Sequence, residues 1–294
     1  PRGMSSAASD VYKRQNIVKT SNIINNIVEL NDYIYFANYD ADNGLELWKY
    51  NGVNVPSMVA DINSGSGSSY PDDLIVFNNA LYFEAYDATN GYELWKYDGV
   101  NAPSMVADIN SGSSSSSPND FIVFNNALYF EAYDATNGYE LWKYDGFNTP
   151  SMVADINYGS GNSYPKNFIV FNNALYFEAT DGYNGAELWK YDGVNTPGMV
   201  ADIRPGSSGS SPNDFIVFNN ALYFEATDGN NGNELWKYDG VNTPSMVADI
   251  NSGSDSSFPR KLTVYMNMLW FRASDGLYGS ELWEYDGVNA PSMV

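Results

Sequence analysis

Carboxylates recur at fixed places along this chain, and their spacing admits two kinds of chemistry. Aspartates stand at 40, 87, 134, 181, 228 and 275, and glutamates at 46, 93, 140, 187, 234 and 281. A pair of carboxyl groups can cleave a glycosidic bond when one gives a proton and the other stays ionised. Clustered carboxylate and amide oxygens can instead hold a hard cation. Asp40, Asp42, Asn43 and Glu46 offer oxygens around Gly44, which makes them candidate metal ligands and calcium the candidate cofactor. The same spacing also suits an Asx turn, in which Asp caps backbone amides and Gly takes a positive φ, and the distal Glu of an EF-hand loop is missing. Later units lose the middle acid, so Asp87, Asn90, Asp134, Asn137, Asp181, Asp228 and Asp275 are candidate ligand-binding residues of exposed loops. Catalysis fits this pattern poorly, because an acid and base pair needs two different environments and repeated units supply near-identical ones. No catalytic residue is assigned, and the glutamates are expected to hydrogen-bond turn amides and neighbouring units.

Composition removes further classes. The chain carries 36 acidic and 14 basic residues for a net charge of −22, which repels nucleic acid and anionic membranes. It has no Cys and no His, so disulfides, thiolate chemistry, Cys/His zinc sites and Ser-His-Asp triads are absent. No run approaches the roughly 20 apolar residues needed to span a bilayer. Beyond the first fifteen residues, arginine occurs only at 204, 260 and 272, too few for an arginine-rich sialidase-like site.

The elements that position the carboxylates follow from repetition. Glu-Leu-Trp places Trp at 48, 95, 142, 189, 236 and 283, each 47 residues after the last, with no insertion anywhere. In the second unit, the apolar run 74–77, the pair Asn78-Asn79 and the run 80–85 read as a tight hairpin. A loop over 87–91 leads to a third strand over 93–97, and Asp98-Gly99 turns into a fourth over 103–109. Leu81, Phe83 and Ala85 point to one face, and Tyr82 and Tyr86 to the other. A sheet apolar on both faces needs a neighbour on each side. The expected fold is therefore all-β, a six-bladed β-propeller of six 47-residue, four-stranded repeats, in preference to a β-solenoid. The repeats fall at about 26–70, 71–117, 118–164, 165–211, 212–258 and 259–294 of a single domain over 16–294. Residues 1–15 read as a tail, of the kind left by adaptor read-through, outside the fold.

Strand parity puts the 87–91 turn and the long Ser/Gly/Asp loops at one end of each unit, and this acidic end is the expected binding end. The tryptophans read as core, with sugar-stacking platforms as the alternative. The sixth unit departs from the rest, with Trp270 in place of Tyr and Arg272 in place of Glu. The chain stops at Val294, inside the fourth strand of unit six, as expected of a fragment or of a ring with a short last strand.

The stretch Val200 to Gly240 (VADIRPGSSGSSPNDFIVFNNALYFEATDGNNGNELWKYDG) resembles the bacterial ELWxxDGT, or hyalin-like, repeat family. The landmarks of that family are a DIxPGxxxSxP segment, an LYFxAxD strand and the ELWxxDG strand, three motifs in fixed order, and the resemblance covers all six units, from about residue 26 to 294. Val100, Phe147 or Val194 replaces the motif's Thr, and Asn51 replaces Asp in the first unit. The resemblance implies a secreted or surface-displayed propeller-like protein and no particular activity. The expected function is a non-enzymatic extracellular or cell-surface recognition or scaffold protein. It would bind a glycan or protein partner, with calcium as an option and self-association as another. A glycan-active hydrolase or lyase and a structural filament protein are the alternatives.

Overall fold

The computed structural model describes residues 27–294; the tail expected over 1–15 lies outside them. Among the described residues there is no helix. Twenty-four strands form six four-stranded antiparallel sheets, and in every sheet the strands pair in sequence order. These are the blades, over 28–60, 72–107, 119–154, 166–201, 213–248 and 260–293, in an all-β architecture of the β-propeller type.

The second blade shows why. Its strands are Asp72–Phe77, Ala80–Asp87, Gly91–Tyr97 and Ser104–Ala107. Asn78 and Asn79 take φ of 46° and 58°, the left-handed pair a two-residue hairpin demands and asparagine tolerates. The second strand runs two residues further than expected, because Asp87 pairs with Gly91 directly across the turn. The fourth is shorter than the 103–109 expected. Pro103 has no amide hydrogen to give, and the Ile109 amide donates to the Glu93 carboxylate instead of to the ladder.

The chain divides into two compact units, one ending at Ser117 and the other running from Pro118 to Val294. Within the first, Leu81, Phe83, Ala85 and Tyr97 of blade two bury against Leu30, Tyr35 and Leu47 of blade one. Within the second, the same contact repeats. Leu175, Phe177, Ala179 and Trp189 of blade four meet Phe124, Tyr129 and Leu141 of blade three, and blades five and six follow suit. In blades four and five both faces find a neighbouring sheet, as the alternation requires. Burying a Phe or Leu side chain at such a contact contributes about 2 to 3 kcal/mol. Edge-on ring pairs add to it, with Tyr176 and Tyr238 at 5.8 Å and Tyr223 and Tyr285 at 5.8 Å.

Candidate functional site

The hairpin aspartates lie where the sequence puts them, and their oxygens face their own turn. Asp40 Oδ1 accepts from the Asp42 amide at 2.9 Å, the Asn43 amide at 3.1 Å and Asn43 Nδ2 at 2.9 Å. Asp87 and Asp134 do the same with Thr89, Asn90, Thr136 and Asn137. Asp181, Asp228 and Asp275 each cap the two amides that follow in the same way. Hydrogen bonds from Asp42 and Asn43 hold the Asp40 carboxyl below its ordinary range. Asn43, Asn90 and Asn137 turn their amide nitrogens, which are donors, toward the aspartate.

Glu46 points elsewhere. It is fully buried, and its carboxylate accepts from the Ile62 amide at 3.1 Å, the Ser69 amide at 2.9 Å and Ser69 Oγ at 2.5 Å. The structure thus brings Asp40 and Asn43 together at the turn and sends Glu46 into the root of the long loop. Among the described residues no three or more His, Cys, Asp or Glu side chains are grouped so as to hold a metal ion. Glu93, Glu140, Glu187 and Glu234 form the same bracket to Ser116, Ser163, Ser210 and Ser257. Burial raises all five carboxyl groups, Glu140 to about 7. The sixth member, Glu281, is exposed. These glutamates fasten each long loop to its blade, as expected of hydrogen bonds to turn amides.

The hairpin turn and the long loop also touch directly. Ser68 Oγ accepts from the Leu45 amide, Ser115 Oγ from Tyr92 and Asn162 Oδ1 from Tyr139, all within 3.0 Å. At Gly138, with φ of 75°, a side-chain carbon would strike the Gly161 carbonyl. The loop-bearing end is therefore a stiffened rim.

What sequence reasoning missed lies just inside that rim. A polar residue opening the first strand faces one on the second: Asp72 opposite Glu84, Lys166 opposite Glu178, Asn213 opposite Glu225 and Arg260 opposite Arg272. In blade three Glu131 pairs with Asn119. The next residue on the first strand, Asp73, Asp120, Asn167, Asp214 or Lys261, takes φ between 50° and 59° and makes a bulge. Burial, with Asp73 and Asp72 nearby, pushes the Glu84 carboxyl up to about 8, and burial beside Asp120 does the same to Glu131. Lys166 lies 3.6 Å from Glu178, and Asn167 Nδ2 donates to the same carboxylate at 3.1 Å. Aligning the units at their 47-residue offset would have exposed this pair as a place where near-identical repeats differ. The sequence reading picked out only Arg272 from it.

Four of the tryptophans join the packing between blades, and Trp48, Trp142 and Trp270 are half-buried. Trp189, Trp236 and Trp283 are buried between blades, and Trp95 packs against the blade one contact.

A family model described as outer membrane protein assembly factor BamB matches residues 9–191, well over half of the chain. No curated protein matches in sequence. Among solved structures, the chain is similar to the computationally designed Ika8 protein, with a TM-score of 0.51 and 16% identity over 90% of this chain and 72% of that one. It is similar also to a prolyl endopeptidase, with a TM-score of 0.60 and 9% identity over 97% of this chain and 46% of that one. A puromycin-hydrolyzing peptidase of Mycobacterium tuberculosis gives a TM-score of 0.58 and 10% identity over 93% and 44%. The chain spans less than half the length of either peptidase, and at these identities the likeness is one of fold.

Proposed function

The chain belongs to the PQQ_2 family, described as outer membrane protein assembly factor BamB, a β-propeller-type repeat family, and from that premise we propose that it is a non-enzymatic recognition or scaffold protein. It binds a protein or glycan partner through the loop-bearing end of its blades, outside the cell or at its surface. One observation carries this reading. The repeated carboxylates that suggested catalysis are spent on loop anchors and turn caps, whereas the polar pair inside the rim changes from blade to blade. A rigid scaffold bearing variable polar side chains at one end is how a recognition surface is built. The ELWxxDGT-like motifs and the family description, an assembly factor, point the same way. Calcium enters as an accessory at the turn that follows Asp40, where Asp42 is exposed.

The test is binding of the full chain to glycan and protein arrays, with calcium and with chelator. Saturable binding to a defined partner supports the reading. Turnover of a bound glycan, or no binding on either array, overturns it. A melting temperature unchanged by calcium removes the accessory role alone.

A further inference from the structure

We infer that blade six carries a site for a small oxyanion, built on Arg260 and Arg272. The two are partners in register on the first and second strands, which places like charges opposite each other; Glu225 offsets Arg260, and the charge left unmatched is that of Arg272. Both line a cavity of about 260 Å³ with Ser257, Phe258, Ser274 and Ser280. Arg272 Nε donates to Ser280 Oγ at 2.6 Å, which aims the guanidinium, and among the described residues no carboxylate pairs with it. Arg260 lies over the Phe258 ring at 5.2 Å, and its Nε faces Glu225 at 3.4 Å.

The fold does not require this arginine. Position 272 corresponds to Glu84, Glu131, Glu178 and Glu225 in other blades and to Ala37 in the first, all on the same strand. Exchanging a buried acid for a base, in a chain of net charge −22, reverses the local charge at one rim position. The acidic field repels anions at long range, so capture depends on short bidentate contacts of the kind guanidinium makes with carboxylate, sulfate or phosphate. The cavity is small for a ligand pocket, which suits a single anionic group or one acidic sugar ring. This inference deepens the recognition reading by naming the chemistry of one of its contacts.

The experiment is an NMR titration of the full chain, following the Nε–H signals of Arg260 and Arg272. Inorganic phosphate and glucuronate are the probes, with glucose as the neutral control and sodium chloride as the ionic one. Saturable shifts with phosphate or glucuronate and none with glucose or chloride are expected. The tighter of the two tells a phosphoryl source from a sugar carboxylate. Arg272→Glu, which installs the residue other blades tolerate there, should raise Kd at least about tenfold. Arg204→Gln, in another loop, should leave it unchanged. Shifts that never saturate, that chloride reproduces, or that persist in Arg272→Glu with equal Kd overturn the site. If the arrays find a partner that Arg272→Glu still binds, only this inference falls. If anions saturate the site and the arrays find nothing, only the recognition reading falls.

Discussion

Arg260 of blade six places its Nε 3.4 Å from the Glu225 carboxylate of blade five, an ion pair that ties two sheets together just inside the loop-bearing rim. Burial raises the Glu225 carboxyl, and Arg260 and Asn233 oppose that rise. Burial raises every acid in this series, and its partner adds to or opposes that rise, as Asp73 and Asp72 add to it at Glu84 and Lys166 opposes it at Glu178.

Lys166 shows the effect in blade four, where it pairs with Glu178 and also lies close enough to Glu131 to favour its ionised form. Lys166→Ala is expected to destabilise the protein by about 1 kcal/mol at pH 8, a figure kept small because the lysine is 46% exposed. At pH 5, where Glu131 is protonated, the cost shrinks. Urea unfolding at the two pH values measures the difference; equal costs would show that Lys166 acts through packing alone.

The loop brackets are a matter of stability. Glu234 Oε1 accepts from the Ser257 amide at 2.9 Å, and Oε2 from the Ile250 amide at 2.9 Å and Ser257 Oγ at 2.6 Å. Glu234→Gln sets a donor against one set of these donors and should cost about 1 to 3 kcal/mol. Chemical denaturation checks it, and a change within error would mean the loop is held by other contacts.

The stiffness of the rim has a steric test. Gly185 takes φ of 69°, and a side-chain carbon there would collide with the backbone nitrogen of Gly209. Gly185→Ala should cost about 3 kcal/mol, from backbone conformation and overpacking together. Faster amide exchange over 204–211 should accompany the loss. Wild-type stability in this variant would show that the turn and the loop move apart freely.

The pH dependence of stability follows from opposite shifts. Glu84 and Glu131 are pushed up to about 8 and Glu140 to about 7, from an ordinary 4.5. The folded state therefore holds more protons than the unfolded one above 4.5. The stability this supplies is full below that value and is lost as pH rises through 7 and 8. Asp145 and Asp239 are held down to about 2 by hydrogen bonds from their turns, and their contribution is lost as pH falls from about 4 toward 2. The melting temperature should peak near pH 5 and fall by roughly 5 °C or more by pH 8. A flat profile, or a maximum at pH 8, contradicts the burial of these glutamates.

Much of this was legible in the residues. Asn78-Asn79 announces a hairpin because few side chains accept two left-handed residues in a row. Trp189 and Phe177 announce a sheet that needs a neighbour, and each has one. Asp40 and Asp87 read equally well as ligands or turn caps, since spacing alone does not say which way a carboxylate turns. The direction is set by the amides of residues two and three further on. Glu46 looked like a neighbour of Asp40, yet strand pleating buries it, and its partner Ser69 lies 23 residues away, out of reach of any local pattern. The facing of Asp72 on Glu84 depends on a bulge at Asp73, which alternation cannot foresee.

The central claim is that the variable polar pairs inside the rim, and not the repeated carboxylates, recognise the partner. Binding should therefore be compared between the wild-type chain and a variant made uniform at the pairs, carrying Asp72→Asn, Lys166→Asn, Arg260→Asn and Arg272→Glu, on the same glycan and protein arrays. Folding of the variant is verified by its circular dichroism. The wild-type signal should be lost in a variant that remains folded. Equal binding by both chains would contradict it.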